Sequence, residues 1–369
     1  MRILFVNSAR PLAGGTTSAC DLAAGLSERG HEVTVVVNPD SELLHGLAEH
    51  PAVRVAPLRL RSELNAWRAV RLSALLRRIR PDLVLADRRK DVKFSVAARV
   101  LLPDSRWIPV IHRHGAPSVL RDSAPYRFIW RRLQGVIVNS MTMRAALLSA
   151  TPWLEPVGVC VVHNGKDTDR YRPMPELRNR SRAVLGVAPD AFVVCFHGVI
   201  QPRKNVDVLI DAVATLAGER SVTALIAGDG PQLPALREIA VARRAPVVFA
   251  GMRRDIPHVL AAADVSAHLS SAEGFSNSVI EAMACGLPVI ASSASSHPEQ
   301  IVDGVHGLLV PLRDTPAVAH AIRRLRDDDE GRRRMGNQAR DRTVTHFSLA
   351  TMLDGYEAVF EQAVNRTRN

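Results

Sequence analysis

Short apolar runs alternate with amphipathic stretches from the first residues of the chain. Residues 3–7 are apolar enough for a buried strand, apolar residues recur at helical spacing near 17–29, and residues 33–37 predict the next strand. This order of strand, helix and strand predicts a βαβ unit. Its first turn contains Gly14 and Gly15, and the helix N-terminus that follows such a turn is a common binding place for phosphate groups.

The same alternation covers both halves of the chain, with one interruption. Residues 164–182 are rich in Asn, Asp, Arg and Pro and have little apolar periodicity, which is typical of a linker. Further strands are predicted on both sides of this linker, at 82–86, 107–112, 135–138, 158–162, 191–197, 222–227, 246–249, 264–268 and 287–291. Because helical stretches separate these strands, the sheets should be parallel. The sequence therefore predicts an α/β protein of two doubly wound, Rossmann-like domains that face a central cleft at the carboxyl ends of their strands.

Length and composition agree with two folded domains. The chain has 369 residues, which is more than one typical core requires, and 47% of them are hydrophobic and 23% charged. We expect no membrane-spanning helix, because no uncharged apolar run reaches about 18 residues, and no signal peptide. The four cysteines are far apart and have no CxxC spacing. We therefore expect neither disulfides nor zinc, and a cytoplasmic location.

The formal net charge is +11, and nearly all of the basic residues are arginines. A basic surface suits nucleic acid, an anionic membrane or a polyanionic substrate. Aromatic residues make up only 4% of the chain, too few for the usual base-stacking surface, so we expect no nucleic-acid partner. Residues 61–80 combine apolar residues at helical spacing with several arginines. This stretch predicts either contact with an anionic membrane or a helix that packs on the sheet with a charged outer face.

The segment 270–291 carries the strongest chemical signal. It predicts a loop after a strand, a helix that begins near Ser276 or Asn277, and a stop at Gly286. Glu273 lies in the loop and Glu281 lies one turn into the helix. A helix N-terminus suits a diphosphate, and carboxylates accept hydrogen bonds from sugar hydroxyls. Two isolated glutamates would more often be ordinary solvated carboxylates, but this strand–loop–helix context favours a binding role.

These residues resemble the EX7E motif of GT-B glycosyltransferases in the large retaining family 4. Other segments resemble that family in the same order along the chain. Gly14-Gly15 with Gly30-His31-Glu32-Val33 resembles the opening pattern "GG…RGHEV" of the family, and residues 163–173 resemble its pattern "NGVDTDRFRP". Residues 227–231 resemble the pattern "GDGP", and residues 303–310 resemble the pattern "DG.NGLLV". Each match is moderately specific, and their common order makes the resemblance very specific. It implies a retaining transferase with a nucleotide-sugar donor.

The resemblance also implies roles for individual residues. Glu281 would bind the nucleotide ribose, and Glu273 would lie at the transferred sugar and the diphosphate. A glycine of the first domain, Gly14 or Gly15, would let backbone approach the diphosphate, where a side chain would collide. The remaining donor-binding positions that it implies are Gly198, Gly228, Met252, Gly274, Phe275, Ser276, Asn277 and Ser278.

Cations are needed where the diphosphate leaves. Family members carry an Arg and a Lys in a pattern similar to "GRL….KG" after the first strand of the second domain. Lys204 occupies the Lys position, whereas Val199 occupies the usual Arg position. We expect Arg203 to compensate, because a long guanidinium in the same loop reaches a phosphate. The alternative is that Arg203 and Lys204 are a solvated pair at the start of a helix.

Two histidines are candidates for the catalytic position in the first domain. His112 and His114 follow the predicted strand Trp107–Ile111, where family members place a histidine over the reacting sugar. His114, which precedes Gly115, resembles the family pattern better, and His112 is the second choice. Alternation puts both on the same side if the strand continues. A neutral imidazole there would stabilise positive charge at the anomeric carbon.

Two acidic motifs are interpreted as structural. Asp167-Thr168-Asp169 has the DxD spacing of metal-dependent glycosyltransferases of another fold, but it falls in the interdomain segment. The run 327–329 is most simply a solvated acidic turn. We therefore expect no obligatory metal and no cofactor, and the spacing of Gly14-Gly15 does not match the GxGxxG of dinucleotide folds.

The sequence thus predicts a hexosyltransferase that uses a UDP- or GDP-sugar, with a carbohydrate or lipid-linked acceptor, in bacterial cell-surface glycan or glycolipid synthesis. The anionic inner face of the cytoplasmic membrane is a further expected partner. The expected domains are 1–170 for the acceptor, 171–345 for the donor and 346–369 as a helix that packs back on the first domain. The alternatives are a GT-B-fold sugar-nucleotide epimerase and a non-catalytic nucleotide-sugar binding protein.

Overall fold

The computed structural model describes residues 1–9, 14–60, 66–102, 108–115, 120, 123–218 and 221–368. The chain divides into two compact units. The first consists of Met1–Asn164 with Leu349–Asn369, and the second is Gly165–Ser348. The predicted boundaries followed residues 170 and 345, within a few residues of these two divisions.

The first unit is built on a parallel sheet of seven described strands, in the order β3-β2-β1-β4-β5-β6-β7. Their bounds are β1 Arg2–Asn7, β2 Glu32–Val37, β3 Arg54–Pro57, β4 Leu83–Ala86, β5 Val110–His114, β6 Gly135–Val138 and β7 Val159–Val161. Strand β4 is apolar and buried throughout, and β1 is buried from Ile3 onward, because helices cover both faces of the sheet. The order reverses beside β1, as in a doubly wound fold.

The second unit repeats this architecture with six described parallel strands, in the order β10-β9-β8-β11-β12-β13. Their bounds are β8 Phe192–His197, β9 Val222–Ala227, β10 Val247–Gly251, β11 Val265–His268, β12 Val289–Ser292 and β13 Gly307–Val310. Parallel strands place all their carboxyl ends at one edge of the sheet. The loops that follow β8, β9, β10 and β11 therefore share that edge.

Helices connect the strands in both units. Those of the first unit before the linker are α1 Gly14–Glu28, α2 Leu43–Ala48, α3 Ala66–Ile79, α4 Arg89–Val100, α5 Ala124–Trp130 and α6 Met141–Ala150. Those of the second unit are α7 Arg178–Leu185, α8 Val206–Thr215, α9 Leu233–Arg243, α10 Ile256–Ala262, α11 Asn277–Ala284, α12 His297–Gln300, α13 Thr315–Asp327 and α14 Asp329–His346. The last helix, α15 Leu349–Arg368, belongs to the first unit.

Helix α15 packs on the first unit as its apolar face predicts. Met352, Tyr356 and Phe360 are buried in the same core cluster as the side chains of α1 and β1. A Cβ atom at Gly25 would lie 2.7 Å from Leu353 Cδ1, so α1 approaches α15 closely where this glycine stands. Outside the core, the Arg29 guanidinium binds two carboxylates of α15. The expectation of a C-terminal helix on the first domain is confirmed.

Some predicted elements differ from the structure. Helix α1 begins at Gly14, so Gly14 and Gly15 are its first residues rather than part of a loop. Strand β5 runs from Val110 to His114, later than the predicted 107–112, and Trp107 lies outside the described residues. The predicted linker 164–182 also contains the start of helix α7.

The apolar side chains of helix α3 pack on the core of the first unit. Leu72 and Leu76 are buried in the core of the first unit, with Leu75 and Ile79 packed beside them. This apolar stripe therefore covers the sheet, as in the alternative of a helix that packs on the sheet with a charged outer face. What remains exposed on α3 is a basic outer face with Trp67 and Val70.

Candidate active site

The loop between β11 and α11 lies at the carboxyl edge of the second sheet. The chain leaves β11 after His268, passes Glu273 and enters α11 at Asn277, with Ser276 as the N-cap residue. The Gln300 side chain fixes this entry, because its Nε2 donates to the Ser276 carbonyl at 2.8 Å and its Oε1 accepts from the Ser276 amide at 3.3 Å. The Ser276 amide is therefore already paired, whereas sequence reasoning counted the residue among the donor-binding positions.

Glu273 is held by the two cations that the sequence singles out. Lys204 Nζ donates to Glu273 Oε1, and Arg203 Nη1 donates to the same oxygen at 2.7 Å. Both cations come from the short 3₁₀ turn Pro202–Lys204, which follows β8. Burial favours the neutral acid, but the Lys204 and Arg203 charges outweigh it and hold the pKa of Glu273 below its ordinary value. The loop thus brings together the predicted carboxylate and both predicted cations.

Ser295 completes the loop around Glu273. Its hydroxyl donates to the Glu273 carbonyl and accepts from the Glu273 amide, each at 2.6 Å. Sequence reasoning did not find this residue. Its backbone is left-handed, with φ of 60°, a conformation that residues other than glycine seldom adopt.

Glu281 has a different set of partners. Lys166 Nζ lies 3.1 Å from its Oε1, and His197 Nε2 lies 3.0 Å from its Oε2. All three side chains are buried. Burial alone would raise the pKa of Glu281, yet the Lys166 charge and the His197 hydrogen bond lower it to about 2. The carboxylate is therefore ionised at neutral pH.

Lys166 and His197 were missed as site residues. Lys166 is one of four lysines in an arginine-rich chain, and His197 is a polar residue at the end of an apolar strand. These two irregularities are the only signals that the sequence offers. Neither reveals a carboxylate partner far along the chain, since that contact exists only once α11 packs beside β8.

Glycines let the neighbouring loops approach each other closely. A Cβ atom at Gly228 would lie 2.0 Å from the Gly198 carbonyl oxygen, and one at Gly230 would lie 2.2 Å from the Ile200 carbonyl oxygen. Gly198 itself has φ of 137°, and a Cβ atom there would lie 3.5 Å from Ser278 Oγ. The predicted positions Gly198, Gly228 and Ser278 are therefore near one another at the same edge of the sheet.

Other predicted donor positions vary in exposure. Phe275 turns its ring inward, where it packs with Ile280 and lies 5.2 Å from the Phe347 ring. Gly274 is buried, Asn277 is half-buried, and Met252, directly after β10, is 71% exposed. Val199 is also exposed, in the loop where family members carry an arginine. The Phe275 ring is therefore part of a small core cluster.

The histidines of the first unit lie inside β5 rather than after it. Both are buried, and His112 Nε2 is 3.2 Å from His114 Nδ1, so alternation places them on one side as expected. His112 also contacts the Ala86 carbonyl at 2.9 Å and the Trp130 ring. Burial, together with the electrostatic effect of the neighbouring His114, lowers the pKa of His112 well below 6.5. His112 is therefore a neutral imidazole at physiological pH.

Arg113, between the two histidines, points to the other side of the strand. Its Nη1 donates to Asp87 Oδ1 at 2.6 Å and its Nε donates to the Tyr356 hydroxyl at 3.0 Å. Asn7 Nδ2 donates to the same carboxylate at 3.0 Å. This network ties α15 to the carboxyl ends of β1, β4 and β5.

Two family models match the chain. "Glycosyltransferase Family 4" matches residues 12–170, and "Glycosyl transferases group 1" matches residues 191–328. Each model covers one predicted Rossmann-like region, and together they cover most of the chain. The chain belongs to the family 4 glycosyltransferases.

Curated relatives of this glycosyltransferase support the assignment. It is 34% identical over 287 residues to the D-inositol 3-phosphate glycosyltransferase of Mycobacterium marinum, over 71% of this chain and 60% of that protein. It is 28% identical over 337 residues to the lipopolysaccharide core biosynthesis glycosyltransferase LpsE of Rhizobium meliloti, over 91% of this chain and 92% of the relative. The chain thus spans about 60% of the length of the inositol phosphate relative but nearly the whole of LpsE.

Solved structures confirm the fold class. Anabaena Alr3699/HepE, crystallised with UDP-glucose, superposes with a TM-score of 0.84 at 24% identity, over 98% of this chain and 100% of that one. At this identity the likeness shows the fold alone. The family 4 chain therefore has the predicted GT-B fold, with two Rossmann-like α/β domains.

The acidic motifs have local structural roles in this glycosyltransferase. Asp167 Oδ1 accepts from the amides of Asp169 and Arg170 and so closes a turn. Asp328 caps α14 through the Gly331 amide, and Asp329 pairs with arginines of the same helix. The described residues contain no group of three or more His, Cys, Asp or Glu side chains that could hold a metal ion. Within the same ranges, no helix is long and apolar enough to cross a membrane.

Proposed function

We propose that this chain is a retaining glycosyltransferase that transfers a hexose-type sugar from a UDP- or GDP-sugar to a hydroxyl acceptor. The observation that carries the proposal is the convergence of Lys204 and Arg203 on Glu273, at the entry to α11. LpsE is named for lipopolysaccharide core biosynthesis. This relative supports a role in the synthesis of cell-surface glycan or glycolipid.

The charge balance around Glu273 suits a diphosphate. Two cations share one carboxylate oxygen, so the cluster keeps a net positive charge beside the N-terminus of α11. A phosphate gains charge-assisted hydrogen bonds from such groups, and the helix dipole adds to the attraction. Arg203 thereby takes the part of the arginine that is absent at Val199. The solvated-pair interpretation of Arg203 and Lys204 does not fit their shared carboxylate.

Glu281 suits the ribose. Its pKa of about 2 keeps it ionised, and each carboxylate oxygen accepts up to two hydrogen bonds, so a vicinal diol is a matched partner. HepE was crystallised with UDP-glucose, which favours a uridine nucleotide here. In the proposed reaction the acceptor hydroxyl attacks the anomeric carbon from the face that the diphosphate leaves.

No covalent nucleophile, metal ion or cofactor is required in this proposal. Lys204 and Arg203 stabilise the charge that develops on the leaving diphosphate. In the first unit, His114 stays the first choice, and His112 the second, for stabilising positive charge at the anomeric carbon. The neutral imidazole of His112 has the correct charge state for that task.

A panel of UDP-, GDP- and ADP-sugars, measured by thermal shift, tests the donor. One nucleotide class should raise the unfolding temperature of the protein, and the nucleoside diphosphate alone should retain much of the effect. NMR of the glycoside formed with lipid-linked or carbohydrate acceptors should then show the anomeric configuration of the donor. An inverted linkage contradicts retention, and a free isomerised nucleotide sugar indicates an epimerase. Binding without any turnover across the acceptors indicates a binding protein.

We further propose that the protein works on the inner, cytoplasmic face of a membrane, with the outer face of α3 against anionic lipid. That face carries the exposed arginines Arg71, Arg77 and Arg78, with Trp67 74% exposed at its start. Arginines near an anionic surface and an interfacial tryptophan both favour such contact. Co-sedimentation with phosphatidylglycerol vesicles at low salt should retain the protein, and phosphatidylcholine vesicles should not. No binding to either at low salt contradicts this proposal.

A further inference from the structure

Lys166 is a buried lysine at the beginning of the second unit. Its side chain is 2% exposed, and its ammonium lies 3.1 Å from Glu281 Oε1. Its backbone amide donates to the Phe347 carbonyl at 2.9 Å, which fixes the base of the side chain. Lysines are seldom fully buried, because the charge loses its hydration. A lysine in this position therefore needs its carboxylate partner, and the partner is the proposed ribose ligand.

His197 holds the other oxygen of the same carboxylate. Its Nε2 is 3.0 Å from Glu281 Oε2, and since a carboxylate only accepts, this nitrogen carries the proton. The His268 ring packs edge-on against His197, with 5.2 Å between the ring centroids. One donor on each oxygen fixes both the position and the plane of the Glu281 carboxylate.

The arrangement leaves Glu281 able to bind a ligand. An ionised carboxylate offers about four lone-pair sites in total, and the two donors named here occupy one on each oxygen. The second lone-pair site on each oxygen can then accept one of the two hydroxyl groups of a vicinal diol. A carboxylate that is already fixed binds its ligand without a further loss of side-chain entropy.

We propose that Lys166 and His197 are positioning residues for the nucleotide: they hold Glu281 so that its remaining lone pairs receive the ribose hydroxyls of the donor. The proposal rests on the proposed function, in which Glu281 binds ribose. Neither residue touches the nucleotide in this scheme. Both act through the carboxylate that they orient.

A second buried pair in the same unit provides a matched control. The Arg182 side chain is 2% exposed, and its Nη2 lies 2.9 Å from Asp264 Oδ2. Asp264 directly precedes β11, so this pair lies at the amino edge of the sheet, opposite the loop that contains Glu273. Loss of Lys166 leaves the Glu281 carboxylate without its lysine partner, and loss of Arg182 leaves Asp264 with Arg178 alone, so both changes are destabilising. Only Lys166 is proposed to affect nucleotide recognition.

The test is calorimetric titration of the full chain with UDP and 2′-deoxy-UDP, or with GDP and 2′-deoxy-GDP if the donor panel selects guanosine. A hydroxyl bonded to a charged group should make the ribonucleotide bind at least about tenfold more tightly. In Lys166→Met, the ratio of ribonucleotide affinity to deoxynucleotide affinity should fall to about one, while the deoxynucleotide binds nearly as before. Arg182→Met should keep the wild-type ratio even though it lowers the unfolding temperature.

Two His197 variants provide an independent test of the proposal in case the Lys166→Met variant does not fold. His197→Gln keeps a donor and should retain most of the ratio, whereas His197→Leu removes the donor and should reduce it. If the ratio in Lys166→Met and His197→Leu equals that of the wild type, the two residues are merely structural and the proposal is overturned. A wild type that binds both nucleotides equally overturns the ribose role of Glu281 and the positioning role with it. A wild type that binds no nucleotide overturns the proposed function itself.

Discussion

At the scale of residues, the two glutamates have unlike surroundings. Glu273 shares its Oε1 between Lys204 and Arg203, and the Arg203 side chain is 41% exposed. Glu281 is paired with two buried groups, Lys166 and His197. Arg203 is thus exposed enough to meet an incoming phosphate, while Lys166 and His197 are enclosed with the Glu281 carboxylate.

This difference predicts a phosphate-specific effect of Arg203→Met. The variant should weaken UDP binding about tenfold or more, because a charge-assisted hydrogen bond to the diphosphate is lost. Binding of uridine, which has no phosphate, should stay unchanged. Calorimetric titration with both ligands measures the two effects.

Arg243→Met is the control for Arg203→Met, because Arg243 forms an exposed ion pair with Asp211. It should leave both affinities as in the wild type. An equal loss of UDP and uridine affinity in Arg203→Met would show that Arg203 does not contact the diphosphate.

Asp91 predicts a pH dependence of stability in the first unit. Burial raises its pKa from 3.8 to about 7, although its Oδ2 accepts from the Ser8 and Arg88 amides. Because the folded pKa exceeds the unfolded one, the folded state binds more protons between these values, and this contribution to stability falls as the pH rises from about 4 to about 7. Asp91→Asn removes the titration. The variant should raise the unfolding temperature at pH 8 relative to the wild type and gain less at pH 5, and a constant difference at both pH values contradicts the assignment.

The sequence predicts Glu273, Lys204 and Arg203 as neighbours but does not predict Lys166 or His197. The first three lie in loops that follow adjacent parallel strands, and strand order alone brings such loops to one edge. The contact of Lys166 with Glu281 depends on the packing of α11 against a chain segment outside the strands. No periodicity in the sequence encodes that contact.

At the scale of elements, backbone packing between loops depends on glycine. The loops after β8 and β9 touch through carbonyl oxygens where Gly228 and Gly230 stand. The Gly228 amide also donates to the carbonyl of Gly251, the last residue of β10, at 2.7 Å. A side chain at Gly228 would separate these loops at the edge where the donor is proposed to bind.

Gly228→Ala should therefore lower the free energy of unfolding by about 1–3 kcal/mol, the usual cost of forcing an extra methyl group into a packed site. Urea unfolding followed by circular dichroism measures this change. Gly218→Ala is the control, because no atom lies within 4 Å of the added Cβ atom, and it should change the free energy by less than about 0.5 kcal/mol. Equal effects of the two substitutions contradict the proposed close approach.

Strand β9 has the predicted bounds, 222–227, because its apolar run ends at a glycine. Strand β5 was misplaced because its last residues, His112, Arg113 and His114, are polar. In the structure these side chains are buried against Trp130, Asp87 and Tyr356, so tertiary partners make a polar segment suitable for a strand. The early start of α1 at Gly14 likewise lacks a sequence signal, since glycine has low helix propensity.

At the scale of the whole molecule, the chain leaves the first unit after Asn164 and returns to it at Leu349. The apolar face of α15 predicts this return, because an amphipathic helix at the end of a chain must bury its apolar side. The restart of the strand–helix alternation after the linker predicts the second unit. Periodicity thus accounts for the fold, and tertiary contacts account for the details of the site.

The central claim is that the Glu273–Glu281 segment binds a nucleotide-sugar, with Glu281 on the ribose. Calorimetric titration of the preferred nucleoside diphosphate into the wild type and Glu281→Gln tests it most directly, below the unfolding temperature of both proteins. The account predicts that the variant, which lacks the ionised acceptor, binds at least about tenfold more weakly. Equal affinity of the wild type and the variant would contradict the account.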